Sequence, residues 1–217
     1  MRFPGTLFFL LFVLTCIYHL TACGRDRQLS RRWSKVLLMP LLALAYAFGS
    51  RQVQPLVLIA LCLGWAGDVL LIRPTVQSRQ FAGIGCFAVG HVCYILAILK
   101  TLSGTTLNLP WLPPLFSLCA AVFCFFRVKP VMDKAMHGTG FCYFLILAAL
   151  ITCAGFSLFS GAPSGRWLYL GSLLFLFSDT VLCYQFFTVG SPAPKYDVLV
   201  MASYLLAQTA LMFGFLH

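Results

Sequence analysis

The chain has 217 residues, of which 61% are hydrophobic and only 9% charged, where a soluble domain carries about 25% charged residues. A soluble fold of this length could not hide so much apolar surface, so lipid must cover it. The net charge of +10 would suit nucleic acid, but the bases stand in short gaps between apolar runs, with no basic module or aromatic-basic motif. Topogenesis and contact with anionic lipid headgroups account for them better, and no nucleic-acid partner is expected.

A helix needs about 20 apolar residues to cross the hydrocarbon. The first such run, 3–22, resembles a signal peptide, and Leu20-Thr21-Ala22-Cys23 looks like a lipoprotein cleavage box. Its leading segment has one base, Arg2, and Tyr18-His19 interrupts the apolar stretch just before the box, so the run reads as a first span. Further runs follow at 35–49, short and carrying Pro40, then at 55–72, 81–100, 109–126, 138–159, 167–188 and 197–216. Pro and Gly punctuate the gaps at Arg73-Pro74, Pro113-Pro114, Lys129-Pro130, Ala162-Pro163 and Ser191-Pro192-Ala193-Pro194. The expectation is an all-α polytopic bundle of about eight transmembrane helices, forming a single domain over 1–217. Nine of the ten cysteines (Cys16, Cys62, Cys86, Cys93, Cys119, Cys124, Cys142, Cys153 and Cys183) lie inside apolar runs without a C-x-x-C. They read as small hydrophobes.

Loop charge sets an orientation. The loops after spans 1, 3, 5 and 7 hold eleven of the 15 bases: Arg25, Arg27, Arg31, Arg32, Lys35, Arg73, Arg79, Arg127, Lys129, Lys134 and Lys195. The other side holds Arg2, Arg51, Lys100 and Arg166. The positive-inside rule then places both termini outside the cytoplasm, in a bacterial inner membrane or a eukaryotic endomembrane. A faint repeat runs beneath this pattern. Gly67-Asp68-Val69-Leu70 in span 3 resembles Ser178-Asp179-Thr180-Val181-Leu182 in span 7, and Tyr94 in span 4 answers Tyr204 in span 8. Copies four spans apart would lie parallel in the membrane.

There is no Glu, and of the five Asp residues two, Asp68 and Asp179, lie within apolar spans. Inserting an Asp near a helix centre costs on the order of 3 kcal/mol, so each wants a partner or a task. The bland readings are an interfacial acid or an interhelical hydrogen bond. Depth argues for more. At about 1.5 Å per residue from the basic side, Asp68 lies ~6 Å in, Asp179 ~13 Å, His91 ~15 Å, Tyr204 ~10 Å and Gln208 ~16 Å. Lys35 begins span 2 on that same side. His91 and Tyr94 are i, i+3, and Tyr204 and Gln208 are i, i+4, so each pair shares a helix face.

The chain resembles the lysoplasmalogenase family, also called YhhN-like proteins, which are multispan lipid hydrolases. The matching stretches are Lys35-Val36-Leu37-Leu38-Met39-Pro40-Leu41-Leu42, Gly67-Asp68-Val69-Leu70-Leu71, Gly90-His91-Val92-Cys93-Tyr94, Phe177-Ser178-Asp179-Thr180 and Tyr204-Leu205-Leu206-Ala207-Gln208, in the expected order. Two departures are Val36, where a proline often follows the lysine, and Thr209 after Gln208, where an aliphatic residue is usual. Neither removes a reactive group.

The resemblance implies cleavage of the vinyl ether bond of a lysoplasmalogen to a fatty aldehyde and a glycerophospho-alcohol. The substrate partner is then a lysophospholipid among membrane lipids, with no cofactor and no metal. Vinyl ethers hydrolyse when an acid protonates the β-carbon and water traps the oxocarbenium ion. One carboxyl must be protonated and one ionised, as in glycosidase pairs. On this expectation Asp179 is the acid and Asp68 the carboxylate. His91, Tyr94, Tyr204 and Gln208 orient the pair, and Lys35 meets the substrate phosphate. Three alternatives stand beside it. A zinc hydrolase would use one His and two Asp, but it lacks a second histidine in the cluster. A proton-coupled transporter or channel would use Asp68, His91 and Asp179 as a relay. A purely structural membrane protein is the third.

Overall fold

The computed structural model describes residues 1–72, 77–102, 111–188 and 194–216, with Gln77 by its backbone alone. Arg73, Pro74 and Ser191-Pro192-Ala193, placed in loops above, lie outside the described residues. Among the described residues the chain is all-helical: α1 Phe3–Gly24, α2 Gln28–Gly49, α3 Pro55–Leu70, α4 Gln77–Leu102, α5 Leu112–Val128, α6 His137–Phe159, α7 Gly165–Thr188 and α8 Pro194–Gly214. Short 3-10 turns at Lys129–Val131 and Lys134–Met136 join α5 to α6.

Local chemistry fixes the ends. Prolines occupy the first turn of α1, α3 and α5, where the missing N–H costs nothing. After α1, Asp26 takes a left-handed φ of 49°, a conformation Asp tolerates, and the chain reverses into α2. The Asp26 carboxylate accepts from Gln28 Nε2 at 2.7 Å and from the Arg31 guanidinium at 3.4 Å. After α6, Gly161 reverses the chain at φ 74°.

Three starts differ from the sequence expectation. α2 begins at Gln28 rather than at 35, α4 at Gln77 rather than 81, and α8 at Pro194 rather than 197. The helix that carries Lys35 therefore begins before it, and Lys35 lies in the third turn of α2. Gln, Leu, Arg and Lys are good helix formers and nothing in these segments breaks a helix, so helices continue past the point where their sequence stops being apolar. Because α4 and α8 start earlier, His91, Tyr204 and Gln208 lie about 5 Å further from their helix starts than counted above.

Among the described residues six helices, α1 and α4 to α8, are long and apolar enough to cross a membrane, and the chain is a multi-pass integral membrane protein. The remaining two of the expected eight fall short of that standard. α3 is apolar but has 16 residues, and α2 opens on the polar run Gln28 to Ser34.

The chain divides into two compact units, Met1–Ala97 with the residues from Phe215 onward, and Ile98–Gly214. In the first, α2 packs on both α1 and α3. A Cβ on Gly5 would overlap the Gly49 backbone, so α1 and α2 cross at a pair of glycines, as membrane helices with small interfacial residues do. Deeper in the hairpin Ser34 Oγ donates to Ser30 O at 2.7 Å, leaving its oxygen to accept from His19 Nδ1 at 2.7 Å. In the second unit α6 packs on α5 and α7, and α7 on α8. Gly171 lets α7 approach α8, since a Cβ there would stand 2.9 Å from Leu211 and 3.0 Å from Ala207 O. No disulfide forms among the described residues, which include all ten cysteines.

Candidate active site

In the first unit the reactive groups are set by a proline. Pro40 lies inside α2, so it cannot donate to the carbonyl four residues back, that of Val36. A bare carbonyl is costly in hydrocarbon, where no water can serve it. Trp65 Nε1 of α3 donates to Val36 O at 3.0 Å and satisfies it. One turn further along α3, Asp68 Oδ1 pairs with Lys35 Nζ at 3.2 Å. Two residues of α3 at i, i+3 thus grip two consecutive residues of α2. The Asp68 side chain is 4% exposed and that of Lys35 21%, so the ammonium reaches in from a more open position to neutralise a buried carboxylate. His91 and Tyr94 are both buried on α4, on one face as expected, and the Tyr94 ring stacks near-parallel on Phe215 with centroids 6.2 Å apart.

In the second unit Asp179 is 7% exposed on α7. Tyr143 of α6 donates its phenol hydrogen to Asp179 Oδ2 at a short 2.6 Å. On α8, Gln208 Nε2 lies 3.4 Å from the Tyr204 hydroxyl to which it donates, and both are buried. Tyr204 meets Phe175 edge-on at 5.8 Å. Ser178, next to Asp179, donates to Val200 O at 3.1 Å and ties α7 to α8.

Three features escaped the sequence reading. Tyr143 sits in an apolar stretch, Phe141 to Leu150, and the one signal it gave was a lone hydroxyl in a span. Trp65 looked like any span aromatic. Asp197 was counted at the edge of span 8, but α8 starts at Pro194 and buries it in the first turn, where Gln185 Nε2 donates to Oδ1 at 2.9 Å. Buried acids within the helices therefore number three, Asp68, Asp179 and Asp197, rather than the two expected. Among the described residues no group of three or more His, Cys, Asp or Glu gathers as metal ligands would.

The arrangement can do acid–base chemistry of two kinds. Asp68 is a carboxylate tied to a cation, and Asp179 is a carboxyl held by a neutral phenol. No curated protein and no solved structure matches the chain. The profile of the YhhN family matches residues 30–215, which include Lys35, Asp68, His91, Tyr94, Asp179, Tyr204 and Gln208. The chain therefore belongs to the YhhN family, the family that includes lysoplasmalogenases.

Proposed function

We propose that the protein hydrolyses the vinyl ether bond of a lysoplasmalogen, releasing a fatty aldehyde and a glycerophospho-alcohol. The observation that carries this reading is the contrast between the two intramembrane aspartates. Vinyl ether hydrolysis asks for one carboxyl that gives up a proton and one that stays charged. A Lys35 ammonium on Asp68 suits the charged role. The phenol on one oxygen of Asp179 brings no counter-charge to hold it ionised, so its second oxygen can carry the transferable proton while the first accepts from Tyr143.

In the proposed reaction Asp179 protonates the β-carbon of the alkenyl chain, and the electron pair of the double bond forms the new C–H bond. Positive charge moves to the ether oxygen and α-carbon, where Asp68 provides the compensating charge. Water adds to the α-carbon and loses a proton, which restores the Asp179 acid. The resulting hemiacetal breaks its C–O bond to aldehyde and alcohol. Tyr143, His91, Tyr94, Tyr204 and Gln208 orient these groups, and Lys35 exchanges between Asp68 and the substrate phosphate. The chain crosses the membrane eight times with both termini outside the cytoplasm. α3 at ~24 Å spans the hydrocarbon by local thinning of the bilayer.

A second reading has its own support. Each unit carries an aspartate on its third helix that is bonded from its second, Lys35 to Asp68 and Tyr143 to Asp179, and repeats of this kind are common in transporters. The test separates the two. Purified protein is incubated with lysoplasmalogen and, separately, with an ester lysophospholipid, and aldehyde and free fatty acid are assayed. Aldehyde from the vinyl ether substrate alone supports the hydrolase. Its absence, with proton flux in proteoliposomes, supports the relay.

A further inference from the structure

The α1–α2 turn gathers more positive charge than the proposed reaction uses. Arg25, Arg27, Arg31 and Arg32 fall within one reversal of the chain, and Asp26 is the one acid among them. That acid is occupied, since Asp26 Oδ1 accepts from Arg31 at 3.4 Å and from Gln28 at 2.7 Å. Arg25 and Arg27 are exposed and Arg32 half-buried, leaving three guanidinium groups at the turn. They lie at the end of an apolar track. Leu29 and Trp33 are each 70% exposed, and Leu37, at the next i+4 position, is 55% exposed. Leu44 and Phe48 extend the same face of α2 toward its other end. An indole about 7 Å along the helix from Gln28 stands where interfacial tryptophans sit, between headgroups and hydrocarbon.

We infer that the α1–α2 turn is a binding site for an anionic phospholipid, whose phosphate sits among Arg25, Arg27 and Arg32 while its acyl chain lies along Leu29, Trp33 and Leu37. The charge selects the headgroup and the exposed stripe demands a hydrocarbon partner, so a membrane lipid satisfies both where a soluble anion satisfies only the first. Arg25, Arg27 and Leu29 precede the residues matched by the family, whereas Arg32, Trp33 and Leu37 fall within them.

The full-length protein is reconstituted in bilayers of phosphatidylcholine with phosphatidylglycerol as the minority lipid, re-extracted in mild detergent, and its retained lipids quantified by mass. Phosphatidylglycerol should be enriched over its bulk fraction, and the enrichment should fall as chloride rises. The Arg25→Gln/Arg27→Gln/Arg32→Gln variant, with Arg31 kept on Asp26, should lower the apparent affinity by at least about tenfold. Arg51→Gln/Arg166→Gln, which removes the same kind of charge elsewhere, should leave enrichment unchanged. Equal retention of both lipids, enrichment indifferent to salt, or equal loss in the two variants would overturn the assignment. Inorganic phosphate should displace no more lipid than chloride of the same ionic strength. Selective displacement by phosphate means a free-anion site and also overturns it. If the triple variant does not fold, the salt and phosphate responses of the unmodified protein decide.

Discussion

Tyr143 and Asp179 offer a pair of substitutions whose effects should rank oppositely in two assays. Tyr143→Phe deletes one oxygen and removes a buried 2.6 Å hydrogen bond to the carboxyl group. A typical hydrogen bond is worth about 0.5–1.5 kcal/mol in water-soluble proteins, and bonds between membrane helices average about 0.6 with a maximum near 1.7. The short distance and full burial place this one high on the membrane scale, so the variant should lose about 1–2 kcal/mol. Asp179→Asn keeps an amide oxygen that can accept from Tyr143, and its stability loss should stay below about 1 kcal/mol. Turnover reverses the order. Asp179→Asn has no proton to give and should lose about 10²–10⁴-fold. Tyr143→Phe keeps the acid but loses its aim, and the same 1–2 kcal/mol applied to the barrier is about 5–30-fold. Thermal unfolding in detergent and aldehyde release per mole of folded protein read the two quantities separately. A structural role alone would make stability and turnover fall together. Wild-type aldehyde release by folded Asp179→Asn would refute the assignment.

Three other outcomes follow from the same structure. Lys35→Met should destabilise more than Asp68→Asn, because it leaves a buried carboxylate short of its cation. The double variant should recover part of the loss, with a coupling of about 1–3 kcal/mol in a thermal double-mutant cycle, and simple additivity would remove the pair from the account. Trp65→Phe keeps an aromatic ring but returns the Val36 carbonyl to the state Pro40 left it in, and should cost about 0.5–1.5 kcal/mol in the same assay, whereas Trp65→Phe in a Pro40→Ala background should cost less. A reporter inserted between α2 and α3 should lie outside the cytoplasm, together with one fused to the C-terminus. A cytoplasmic signal at 50–54 with an outside C-terminus would mean that α2 and α3 enter without crossing.

Much of the plan was legible in the sequence because it depends on local composition. Among the described residues eight helices lie where eight apolar runs suggested, and six of them are long and apolar enough to cross a membrane, where a segment must close its own backbone hydrogen bonds whatever its neighbours are. Asp68 and Asp179 stood out for the same reason, as charges whose apolar flanks leave them no water. α2, α4 and α8 start before their apolar runs because hydropathy marks the edge of the membrane and not the end of a helix.

The partners of those aspartates were decided only by the tertiary structure. In a soluble helix a polar stripe shows which face is buried, but lipid is as apolar as a protein core, and α6 and α7 are apolar nearly all round. Their sequence therefore carries no mark of which face meets a neighbour. Tyr143 reaches Asp179, Trp65 serves the carbonyl freed by Pro40, and Gln185 meets Asp197 through helix rotation and register. For α7 and α8, Gly171 is what lets the two backbones approach. The sequence alone determined that Asp68 and Asp179 stand within apolar helices, and packing determined which groups hold them there.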